Sequence, residues 1–218
     1  MAISLWSALF DDVLPDVPGA PQVFATAAIQ DAAIEFFERA KCWSEESDAI
    51  SVVANTKEYA FAKSSLSTGV TPQVVEFRQV FWKGAEIDPV SIQDAERGHQ
   101  NWMTLAGAQP VEYTSLKPNY VRLIPYPNVS VSNALTMNCT LRPTKTSTGI
   151  EDYLLEEYRD AIAAGAKAKL LSSPGKPFTD LQSALMYRSE FEEAIADHQR
   201  KAQLGRTRGR RSVTTRFM

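Results

Sequence analysis

Histidine and cysteine, the residues most metal and acid–base sites draw on, number only two each among the 218 residues. His99 and His198 lie far apart, and neither has a cysteine or a second histidine at ligand spacing, so no zinc motif can be read. Cys42 and Cys139 share no local pattern and are expected to be buried free thiols. There is no run of about 18 apolar residues, and no basic stretch leads an apolar one at the N-terminus, which argues against a membrane span or a secretory signal and for synthesis in the cytoplasm. Without such a signal, Asn128-Val-Ser and Asn138-Cys-Thr are chance matches to the glycosylation pattern. The nucleophile-elbow, dinucleotide and Walker patterns are also missing; Gly175-Lys176 runs into Pro177, which lacks the amide a phosphate loop needs. Asp11, Asp12 and Asp16 have no cation-loop spacing and read as a solvated acidic face. No catalytic residue, metal ligand or cofactor is assigned, and the chain is read as non-enzymatic.

What is present is an ordinary folded composition, 44% apolar and 22% charged, with length enough for one or two domains. The formal net charge of −3 hides a division. Residues 200–218 hold seven Arg and Lys and no acid, which leaves −10 for the rest. Body and C-terminal segment therefore face different partners.

Helical periodicity is strongest in three places. Ile29, Ala32, Ala33, Phe36, Ala40 and Trp43 make one stripe of a helix over about 21–42, opened by Pro21, with Glu35 and Arg39 paired on its polar side. Ile150, Leu154, Tyr158, Ala161, Ile162, Gly165 and Ala168 make a second over 149–171, where Thr148 and Glu151 have capping-box spacing. Its small residues invite a close neighbour, and Pro174-Gly175 ends it. Leu181, Ala184, Tyr187, Phe191, Ala194, Ile195, His198 and Ala202 make a third over 180–203, with Thr179 and Gln182 at the same spacing and His198 as a core or interface histidine. Phe36, Tyr158, Gly165 and Phe191 are the candidates for close helix packing and ring contacts. Residues 1–20 suggest a short helix or hooked arm.

Between Ser44 and Lys145 the period changes to two. Strands are expected at Ile50–Val53, Glu58–Ala62, Val74–Trp82, Val111–Thr114, Val121–Ile124 and Ala134–Leu141, with a short helix inside Ser91–Met103 anchored by Trp102. Alternation within Val74–Trp82 is incomplete, which suggests cover on both faces, one from another subunit. The fold class expected is α+β: a three-helix core with a central, mainly antiparallel β domain and an extended basic tail. The domains are a helical one from 1–43 and 146–204, a β-rich insertion over 44–145 and a docking tail over 205–218.

The tail allows three readings. Arg206, Arg208, Arg210, Arg211 and Arg216 could neutralise nucleic-acid phosphates, could pair with carboxylates of another protein while Phe217 anchors the segment, or could only solubilise the chain. Protein docking ranks above DNA because no aromatic platform accompanies the arginines.

Asp31-Ala-Ala-Ile-Glu-Phe-Phe-Glu-Arg39, the β insertion ending in Val121-Arg-Leu-Ile-Pro-Tyr-Pro127 and Leu141-Arg-Pro-Thr144, and Glu151–Leu171 with Pro174-Gly-Lys-Pro177 together resemble the head-to-tail adaptors of tailed bacteriophages. In order of elements the chain is also similar to tail tubular A or gatekeeper-type proteins of short-tailed phages. The resemblance implies a virion neck protein in a twelvefold ring, its helical part against the portal and its β part towards a tail or second neck protein. Genomic DNA would pass through the lumen without specific binding, and the tail would dock on portal subunits.

Overall fold

Pro21, extended at φ −63° and ψ 141°, sets the start of the first long helix, and Lys41, left-handed at φ 51°, closes it. In the computed structural model, which describes residues 2–99 and 101–205, the chain runs β1 (Ile3–Leu5), α1 (Phe10–Val13), α2 (Gln22–Ala40), β2 (Ser44–Glu46), β3 (Ile50–Val52), β4 (Glu58–Ala60), β5 (Pro72–Trp82) and β6 (Ala85–Pro89). It continues through α3 (Ile92–Gly98), β7 (Ala106–Gly107), β8 (Glu112–Lys117), β9 (Tyr120–Ile124), β10 (Tyr126–Pro127), β11 (Val131–Pro143), β12 (Gly149–Glu151), α4 (Asp152–Leu171) and α5 (Leu181–Leu204). Contacts divide it into two units, one built on residues 43–147 and the other on residues 4–42 with 148–205.

The expected fold class needs correction. The described residues hold five α-helices and an eight-stranded curled sheet, with about 29% of residues in strands, so the chain is α+β without being organised on a three-helix core. Helical stripes announce themselves locally; the sheet is assembled from distant, short strands that carry little periodic signal.

In the β unit the strand order is β2-β11-β5-β6-β8-β9-β4, with β3 also on β11. Thirteen-residue β11 is the spine, antiparallel to β2, β3 and β5. β6 and β8 pair in parallel. The six expected strands are present within a few residues, whereas β2, β6, β7 and β10 were not foreseen. The register of β5 against β11 slips between Asn138 and Cys139 and again between Thr140 and Leu141. Each slip leaves an extra residue on β5, a bulge that interrupts alternation. That accounts for the irregular pattern of Val74–Trp82: Val74, Val80 and Trp82 are buried, while Val75, Phe77 and Phe81 are half-buried. α3 is capped by Ser91, whose Oγ accepts the Asp94 amide at 3.1 Å, and Trp102 packs with Ala95 and Ile124.

In the other unit, residues 6–16 wind as 3-10 helix, α1 and 3-10 helix, burying Trp6, Leu9 and Val13. Asp12 and Asp16 do not form a free acidic face: Arg159 Nε donates to Asp12 at 2.7 Å and Lys167 Nζ lies 2.5 Å from Asp16. The capping boxes also differ. Gly149–Glu151 is a strand, so α4 starts at Asp152, without a side-chain cap. α5 is capped by Asp180, which accepts the Gln182 and Ser183 amides at 3.1 and 3.3 Å. Thr179 instead ties the connection between the helices, its hydroxyl donating to the Ser173 carbonyl at 2.5 Å.

Candidate docking surfaces

Twelve of the 20 residues of α4 are buried, among them Ala161, Ala163, Ala164, Gly165, Ala166 and Ala168, because α2 and α5 both pack on it. Small side chains permit that approach. A Cβ built on Gly165 would lie 2.7 Å from Cε2 and 2.8 Å from Cδ2 of Phe191. The Phe191 ring centroid is 6.3 Å from that of Phe36, and Phe36 is 5.2 Å from Tyr158. Phe36, Tyr158, Gly165 and Phe191 thus come together, all buried within this unit. His198 stands edge-on to Tyr158 at 4.9 Å and to Phe36 at 5.6 Å. Burial, followed by the charge of Lys201, holds its pKa below 6.5, against the pull of Glu157 and Asp197.

Beside this cluster lies a charge network spanning α2, α4 and α5. Glu35 meets Arg39 at 3.2 Å, Lys169 at 2.8 Å and Arg188 at 2.9 Å; Glu192 meets Arg188 at 2.6 Å and is bridged by both guanidinium nitrogens of Arg39. Burial raises the Glu35 pKa, but hydrogen bonds from Lys169 and Arg188 outweigh it and hold the carboxyl below its ordinary value.

The first turns of α5 depart from the expected stripe. Leu181, Leu185 and Met186 are 64%, 73% and 52% exposed. Leu181 and Leu185 border a groove of about 350 Å³ between α4 and α5, lined also by Ala168, Ser172 and Ala184 with Lys169 and Arg188 at its sides. Val23 and Phe24 at the start of α2 are exposed too, with Lys176 Nζ 4.9 Å from the Phe24 ring. A signal for this patch was available: Leu181, Ala184, Leu185 and Met186 put apolar residues on more of the first turns than one buried face can take.

In the β unit a cleft of about 390 Å³ lies between Val74–Phe77 and Ser115–Asn119. Asn119 shapes it, left-handed at φ 66° with its Oδ1 accepting the Val74 amide at 2.6 Å. Nearby bases are already engaged: Lys117 lies 2.7 Å from Glu58, and Arg122 donates to the Met103 carbonyl at 2.7 Å while stacking 5.2 Å over Trp102.

The described residues offer little for covalent or metal chemistry. Burial pushes both thiols, Cys42 and Cys139, up to about 12, and no group of three His, Cys, Asp or Glu among the described residues could hold a metal ion. Among the described residues no helix is long and apolar enough to cross a membrane. Arg206, Arg208, Arg210, Arg211, Arg216 and Phe217 lie outside the described residues. In comparison with known proteins, the family model described as SU10 adaptor protein matches residues 2–216. No curated protein matches.

Proposed function

The chain belongs to the SU10 adaptor protein family, and from that membership we propose that it is a non-enzymatic component of a phage neck, joining portal to tail as a ring around the DNA channel. The family match over nearly the whole chain carries this reading. The protein is made in the host cytoplasm and ends in the virion, between the capsid portal and a tail or second neck protein. Ring closure needs heterologous contacts, one patch meeting a different patch on the neighbour; twelve copies is the stoichiometry the resemblance implies.

The charge division supports the rest. An acidic body lets DNA slide through a lumen without sticking. Residues 205–218 act as the docking tail: Arg206, Arg208, Arg210, Arg211 and Arg216 pair with portal carboxylates, and Phe217 anchors. Residues 1–43 and 146–204 serve as the helical domain and 44–145 as the β-rich insertion. Ordering a tail costs about 1–2 kcal/mol per residue in backbone entropy, which simultaneous docking around a ring offsets.

The test is the mass, by light scattering, of the protein alone and mixed with its portal. A chain that assembles on portal, and fails to when residues 206–218 are deleted although it stays folded, is the expected result. Attachment without those residues refutes the tail's role. No portal interaction, together with salt-sensitive DNA binding that vanishes with the tail, would move the function to nucleic-acid binding.

A further inference from the structure

Helix α5 turns two unlike faces to solvent. One carries Met186, Glu190 and Glu193, all exposed, with neither carboxylate in an ion pair among the described residues. Further along, Asp197 is bound by Arg200 at 2.8 Å, so the open acidity of this face is confined to Glu190 and Glu193. At about 100° per residue, that face lies roughly 160° round the helix axis from Leu181, Ala184, Leu185 and Arg188, which line the α4–α5 groove.

The groove has the opposite character. Its walls are apolar, and beside it three bases, Lys169, Arg188 and Arg39, share only two carboxylates, Glu35 and Glu192, an excess of one positive charge. Its volume of about 350 Å³ takes an unbranched, adaptable methionine side chain. An apolar anchor followed by carboxylates therefore matches an apolar groove flanked by surplus positive charge. The two cannot meet within one chain, because they lie on opposite sides of the same helix. Between copies they meet head to tail, which is the heterologous contact a closed ring needs. In a ring whose axis runs along α5, neighbouring copies of the helix are parallel. Met186 of one copy is then level with Leu185 of the next to within about 1.5 Å along the helix, and Glu190 with Arg188 to within about 3 Å.

We propose that the α4–α5 groove of one copy receives the opposite face of α5 from a second copy, Met186 entering beside Leu181 and Leu185 while Glu190 and Glu193 face Arg188 and Lys169. This rests on the ring reading and identifies the contact through which helical units join. Repetition around a closed ring offsets the modest strength of each contact.

The experiment uses the full chain mixed with its portal, mass being read by light scattering and contact by a short thiol-to-thiol cross-linker. Gln182→Cys, one turn before Met186, and Ser172→Cys, at the groove, are made in separate chains; both positions are exposed and leave the anchor and the carboxylates untouched. The native Cys42 and Cys139 thiols, pushed up to about 12 by burial, stay unreactive at neutral pH. Mixed chains are expected to give a covalent dimer, and either chain alone none. A dimer from Gln182→Cys chains alone means that like faces meet, and it overturns the proposal. Glu190→Lys/Glu193→Lys, two exposed changes, should keep the far-UV circular dichroism of the parent and lose assembly; undiminished assembly also overturns it. If the parent gains no mass on portal, the ring reading falls and this contact with it. If mass is gained and the mixed cross-link is missing, only the proposed contact fails.

Discussion

Adding a methyl group at Gly165 sets two known effects against each other. Alanine gains about 1 kcal/mol of helix propensity over glycine. Its Cβ, however, would sit 2.7 and 2.8 Å from two carbons of Phe191, where carbon–carbon contacts settle at about 3.5–4.0 Å. The ring has no free space to retreat into: Phe191 is fully buried, with Phe36 on one side and the Arg188 guanidinium 5.6 Å from its centroid. Overpacking of this kind costs about 1–3 kcal/mol, so Gly165→Ala should be net destabilising by up to about 2 kcal/mol. Gly165→Leu keeps most of the propensity gain but adds more volume, for a net loss of about 2 kcal/mol or more. At about 2–4 °C per kcal/mol for a chain of this size, the leucine variant should melt roughly 4–8 °C lower. Thermal unfolding by circular dichroism reads both variants, and the cycle with Phe191→Leu isolates the contact. With the ring trimmed, Gly165→Ala should become neutral or stabilising. If alanine raises the melting temperature equally in both backgrounds, α4 and α5 are not in the close contact described and the reasoning fails.

Glu35→Gln should cost about 1–2 kcal/mol at neutral pH, because three bases lose their shared carboxylate. Since that carboxyl titrates below its ordinary value of 4.5, its contribution is present above 4.5 and lost as pH falls through the lower folded value; a denaturation-midpoint gap between parent and variant that persists unchanged in acid would count against the network. His198 titrates below 6.5 in the fold, so the unfolded chain takes up the proton first, and stability should fall as pH drops below 6.5 towards the folded value. His198→Phe should flatten that slope, and an equal slope in the variant would assign it to other groups.

Much of the helical unit was legible because its signals are local. The stripe of Ile29, Ala32, Ala33 and Phe36 is buried as its spacing requires, and Glu35–Arg39 pairs at i,i+4. Misreadings came where a local signal met a competing use of the same backbone. Thr148 and Glu151 have capping-box spacing, yet residues 149–151 are extended in a strand. Thr179 has it as well, but its hydroxyl is taken by the Ser173 and Lys176 carbonyls, and Asp180 caps instead. In the β unit the long strands and the short β3, β4 and β9 could be read, whereas three-residue β2, which takes its identity from β11 far along the chain, and five-residue β6, with a single buried residue, could not. The bulges of β5 were visible only as broken alternation, a pattern that the sequence does not distinguish from cover on both faces.

The burial of Phe36, Tyr158, Gly165 and Phe191 bears on how copies could meet. Side chains already enclosed inside one helical unit have no surface to offer a neighbour, so a ring contact from this unit must draw on what is left exposed. Its exposed large apolar side chains sit mainly at the first turns of α2 and α5: Val23, Phe24, Leu181, Leu185 and Met186.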